Sequence, residues 1–161
     1  MAATTEKAIR DLLVTLIEAL TPASGSQVPF LAYRQDGDFR PWAEQNKGAS
    51  LRRFQIVYDT TEPAGVSNVT EEMRWVTMVI RVAYPNDFGG RFGSENDRSR
   101  DDVMAEDQHS IEGAVGLRGY SNLAGVACFN KTGSGPPEKE PGDSVEFLTF
   151  RNLYLFTRSF S

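Results

Sequence analysis

The sequence predicts an α+β fold: a mostly antiparallel, twisted sheet with an N-terminal helix and a second helix packed on one face. Three observations carry that reading. An apolar period of three to four residues runs through Thr5–Leu20, long period-two runs follow one another directly, and only one further helical segment appears downstream. The 161 residues, 40% of them hydrophobic and ten of them Phe, suit one domain spanning 1–161 with one core.

In "TEKAIRDLLVTLIEAL", Ile9, Leu12, Leu13, Leu16, Ile17 and Leu20 share a helical face. Thr4 or Thr5 caps its start, Glu6 suits the positive helix end, and Pro22 and Gly25 stop it. "PFLAYRQDGDFRPW" reads as a short hairpin, with a strand at Phe30–Arg34, a turn at Asp36–Gly37 and an extended Phe39–Trp42. In "LRRFQIVYD", Phe54, Ile56 and Tyr58 alternate with Arg53, Gln55 and Val57. In "EMRWVTMVIRVAY", Val76, Met78, Ile80, Val82 and Tyr84 line one face, expected to pack on the helix through Leu13, Leu16 and Ile17. "TTEPAGVSN", with Pro63 and Gly65, reads as the hairpin loop between these two strands. Ser99 and Asp102 then open a helix through "RDDVMAEDQHSIEGAVG". A short strand is expected around Val126–Phe129, and a polar, mobile loop at about 131–143. "SVEFLTFRNLYLFTRSF" closes the chain as a long strand that is apolar on both faces. A sheet with one open face does not need that, so either the sheet closes on itself or another subunit covers its second face.

Composition narrows the function. A net charge of −5 and an isoelectric point near 4.9 leave no overall basic footprint for nucleic acid. A single cysteine, Cys128, permits neither an intrachain disulfide nor a cysteine-based zinc site. No basic start precedes an apolar run at the N-terminus, and no apolar run approaches the ~20 residues that cross a bilayer, so no signal peptide or membrane span is expected.

The glycine-rich stretch "DFGGRFGSENDRSRDD", between a strand and a helix, has the setting of a phosphate loop. It lacks the lysine that such a loop needs, it lacks the G-x-G-x-x-G spacing, and its carboxylates would repel phosphate. Its acids are not at calcium-loop spacing. The one histidine, His109, lies three residues from Glu106 and from Glu112, but no nucleophile is identifiable to complete a catalytic set. No catalytic, metal or cofactor site is expected, and the reading is a structural protein rather than an enzyme. Phe88 and Phe92, on an otherwise polar loop, have the character of interface anchors.

With its "IRDLLVTLIEAL" helix, its "RWVTMVIRVAYP" strand leading through a glycine and charge-rich loop into a helix, and its terminal "FLTFRNLYLFTRSF" strand, the chain resembles the tail-terminator and tail-completion proteins of long-tailed bacteriophages. The resemblance implies a virion protein of the tail or neck, made in the host cytoplasm. It implies a ring, typically a hexamer, that caps the tail tube, meets the head–tail connector and passes genomic DNA through its lumen without sequence-specific binding. Phe88, Arg91, Phe92, Arg98, Phe156 and Phe160 are the candidate subunit or tube contacts. A head–tail connector stopper or adaptor is the nearest alternative. A small ligand-binding or enzymatic α+β barrel using its own interior and His109 is the alternative of another class.

Overall fold

The computed structural model describes residues 6–22, 28–34, 38–68, 71–86, 99–116, 130–134 and 136–159. Helix α1 (Glu6–Glu18) forms where the 3.6-residue period predicts it, and Ile9, Leu13 and Ile17, one turn apart, are fully buried. Strand β1 (Leu31–Ala32) is shorter than expected and pairs in parallel with the first residues of β2 (Arg53–Asn68). The sheet is thus mixed, with one parallel pair and otherwise antiparallel ones.

β3 (Glu71–Pro85) pairs along its length with β2 on one side and β6 (Val145–Ser159) on the other. β4 (Asn130–Ser134) and β5 (Glu138–Pro141) pair with successive stretches of the free side of β6, giving the order β1-β2-β3-β6-β4 with β5 alongside β6. The segment read as a polar loop therefore supplies two short strands. Its lack of apolar residues is no obstacle, because the ladder uses backbone groups alone.

Two other expectations are corrected. "TTEPAGVSN" is not the hairpin loop but the outer half of β2, which runs on to Asn68. Register shifts between Tyr58 and Thr61, Pro63 and Gly65, and Val66 and Asn68 absorb the residues that read as a turn. Phe39–Trp42 is not extended either: it opens helix α2 (Phe39–Gln45). The side chain of Asp38 caps that helix by accepting from Arg40 N, and Pro41 lies in the first turn, where its missing N–H costs no helical bond. The expected strand at Val126–Phe129 lies outside the described residues.

Helix α3 (Arg100–Val115) begins as predicted, with Ser99 Oγ accepting from Asp102 N at 3.1 Å. It lies with α1 over one sheet face, where Val103, Met104, Ile111 and Val115 join the α1 residues, Phe54, Ile56, Val76, Met78, Ile80, Val82, Tyr84 and the even-numbered apolar residues of β6 in one core. Leu16 packs against it from the edge.

The second sheet face answers the question raised by β6. The described strands form an open order rather than a closed barrel, and α2 of the same chain covers part of that face. Phe39 and Ala43 pack on Tyr33, Ala83, Val145 and Phe147, with Trp42 at the margin. Phe39 meets Phe147 edge-on at 5.9 Å between ring centroids.

Candidate interaction surface

The predicted contact residues separate into two groups. Phe88, Arg91, Phe92, Arg98 and Phe160 lie outside the described residues. Phe156 is fully buried within this subunit's own core, so it offers no surface to a neighbour. Its even parity on β6 places it on the helix-covered face, with Phe150 and Tyr154. Parity alone could not say which of two apolar faces was covered.

The described residues that flank the 87–98 stretch are held together. Asn86, just before it, donates from its backbone N to Ser144 O at 2.8 Å and from Nδ2 to the carbonyls of Gly142 and Asp143. Arg100, just after it, donates from Nη1 to Asn86 Oδ1 at 2.8 Å and lies 3.6 Å from Glu146. These two residues are thereby tied directly to each other and to the start of β6.

Beneath them lies a buried network. Asp107 on α3 accepts from Arg52 Nε at 2.8 Å, from Arg52 Nη2 at 3.2 Å and from the Tyr84 hydroxyl at 2.7 Å. Arg52 Nη1 donates to Val28 O, and the guanidinium stacks over Phe30. Neither member of the ion pair reaches solvent, and Arg52 adopts a φ of 60°, the left-handed region that a non-glycine residue enters at some cost. The carboxylate joins α3 to Arg52, the residue before β2, and to Tyr84 near the end of β3.

The exposed part of the second sheet face carries the other feature. Arg53 from β2, Arg81 from β3, Arg151 from β6 and Arg40 from α2 converge there, beside the aromatic cluster. Glu140 of β5 sits among three of them, 3.4 Å from Arg81 Nε and 3.8 Å from both Arg40 and Arg151. Arg40 lies over the Phe147 ring and Arg53 over the Trp42 ring. Arg40 and Arg151 are each 46% exposed, whereas Arg81 and Glu140 are 21% exposed. Thr149, opposite both Arg81 and Glu138, is buried, and its hydroxyl has no hydrogen-bond partner among the described residues. Sequence reasoning missed this band, because its members lie far apart in the chain and the overall charge is negative. The one local signal was strand parity: Arg53 and Arg81 fall opposite the apolar face of their strands.

The helix layer has the opposite sign. Asp101 and Asp102 open α3 with exposed carboxylates, and Glu106 and Glu112 follow on its outer side. His109 is exposed there too, while Gln108 donates to Glu112 at 3.1 Å. A cleft of about 490 Å³ lies between α1 and the β1–β2 edge, lined by Arg10, Asp11, Arg34 and Gln55 among others, and His109 takes no part in it. At its margin Glu18 accepts two bonds from Arg34, at 2.8 and 2.6 Å, and one from Ala32 N. The Arg34 bond holds the Glu18 carboxyl below its ordinary range, against a smaller opposing effect of burial.

Among the described residues no group of three metal-ligating side chains occurs, and no helix is long and apolar enough to cross a membrane. No family model matches the chain, and no curated protein matches it either.

Proposed function

We propose that the chain is a virion structural protein: a tail terminator whose subunits close into a ring, cap the tail tube and join it to the head–tail connector. One observation supports this above the others, namely that the sheet outreaches its own helices. β2, β3 and β6 run for 16, 15 and 15 residues, against 13 and 16 for α1 and α3. At about 3.3 Å per strand residue and 1.5 Å per helical residue, the strands extend for about 50 Å and the helices for only about 20–24 Å. A long sheet with a short helical cover builds contacts along a subunit boundary; an enclosed small-molecule site does not call for it. The bond between Asn86 and Arg100, which flank 87–98, adds to this, since a contact segment transmits force only if its ends are fixed. A net charge of −5 suits a lumen through which DNA must slide without sticking.

The test is a pair of measurements. Purified protein should form ring-sized particles by mass, and Phe88→Asp with Phe92→Asp should leave a folded subunit that no longer caps tubes. Electron microscopy of the mutant phage should then show tails of uncontrolled length or tails detached from heads. Normal tails on filled heads would overturn the reading. Failed attachment at preserved tail length would favour a connector stopper or adaptor.

A further inference from the structure

We propose that the arginine band on the open sheet face docks the acidic outer side of helix α3 of a second copy of this chain. The inference rests on the ring reading and names the surfaces that would join its subunits.

The band has donors to spare. Each guanidinium carries five N–H donors, whereas a carboxylate accepts at about four lone-pair positions. Glu140 faces three arginines at 3.4–3.8 Å, longer than the ~2.7–2.9 Å of a well-made charge-assisted bond. Arg53 Nε and the Thr149 hydroxyl, both withdrawn from solvent, have no hydrogen-bond partner among the described residues. A site with buried, unused donors and exposed guanidinium forks is suited to further carboxylates.

Charge complementarity points to the occupant. At the band four arginines stand around Glu140 and Glu138, with Asp38 and Glu44 at α2 to one side, in a chain whose total is −5. Acids are gathered on α3, as Asp101, Asp102, Glu106 and Glu112, the first two of them exposed and the other two partly so. The basic Arg100 at its start is folded back onto Asn86 and Glu146, and Lys139 meets Asp101 from β5 at 3.3 Å. The band is thus a locally basic patch, and α3 carries an acidic one. A two-fold contact through the band would oppose arginine to arginine, which Coulomb repulsion disfavours. A front-to-back contact opposes unlike charges, and such heterologous contacts are the ones that close into rings.

Charge reversal tests this directly, because Arg40, Arg151 and Asp102 are exposed and Glu106 is partly so. In Arg40→Glu with Arg151→Glu the band loses its two most exposed cations. In Asp102→Lys with Glu106→Lys the helix loses two acids one turn apart. Each double variant, checked for native circular dichroism, should show self-association weakened at least about tenfold by sedimentation velocity, in line with the loss of close charge pairs. Combining all four changes in one chain restores opposite charges across the contact and should restore the assembly. Wild-type association should also weaken as salt rises from about 0.1 to 1 M, where screening shortens from ~10 to ~3 Å. Rings that survive reversal of the band would overturn this inference and leave the ring reading standing. Dissociation that the fourfold variant fails to rescue would overturn the choice of α3 as the docked surface. A wild-type chain that stays monomeric at every concentration would overturn the inference together with the ring reading.

Discussion

Replacing Asp107 with alanine should be among the most damaging single changes in this protein. The carboxylate accepts from Arg52 at 2.8 and 3.2 Å and from Tyr84 at 2.7 Å, and the side chains of Arg52 and Asp107 are only 0% and 2% exposed. Alanine takes from a buried guanidinium the carboxylate that it meets through two bonds, and breaking a buried pair from one side costs about 3–5 kcal/mol. The Tyr84 phenol also loses its bond to this carboxylate, which adds to the expected loss. A domain of this size holds only about 5–15 kcal/mol in total, so the variant should be visibly destabilised. Asp107→Asn should fall between alanine and wild type, because it keeps an acceptor for Tyr84 but not the charge. Arg52→Met combined with Asp107→Leu should cost less than the two single changes added together, since it removes both ions at once. The measurement is equilibrium unfolding in urea. A loss below about 1 kcal/mol for Asp107→Ala, the range of a surface change, would refute the reasoning and mean that solvent reaches Arg52.

Other perturbations follow from the same geometry. Ile80, fully buried in the core, should lose about 2–5 kcal/mol on truncation to alanine in denaturant melts, and a loss well under ~1 kcal/mol would put the wrong face inside. Gly142→Ala should destabilise although it adds only a methyl group, because a Cβ there would run into the Glu44 carboxylate and come within 2.6 Å of the Val145 carbonyl. Thermal melting checks it, and an unchanged midpoint would contradict the close approach. Glu18 titrates below its ordinary value of 4.5, so its ion pair adds stability above that pH and loses it as pH falls through the lowered value. The stability gap between wild type and Glu18→Gln should therefore be widest near neutrality and close in acid. It should stay within about 1 kcal/mol because Arg34 is largely exposed. A gap that widens on acidification would reverse the sign of the argument.

Several elements were legible in the sequence because the physics that makes them is local. Ile9, Leu13 and Ile17 recur at the helical period, so α1 needs no partner to declare its buried face. Val76 to Tyr84 alternate over a run too long to be anything but a strand, and Ser99 with Asp102 marks the start of α3 by a bond within one turn. The α+β class follows from those three. The rest depended on tertiary contacts. Phe39–Trp42 becomes helical because Asp38 caps it and Phe147, more than a hundred residues away, receives Phe39. Pro63 and Gly65 stay in a strand because β3 runs alongside and the ladder bulges around them. β6 is apolar on both faces, so only the position of α1, α3 and α2 decides that Phe156 is core and Arg151 is surface. Arg53, Arg81 and Arg151 share one face through strand register, and the packing of α2 on that face adds Arg40. Local sequence sets which groups each element can present, while the long-range pairing of strands decides which of them meet.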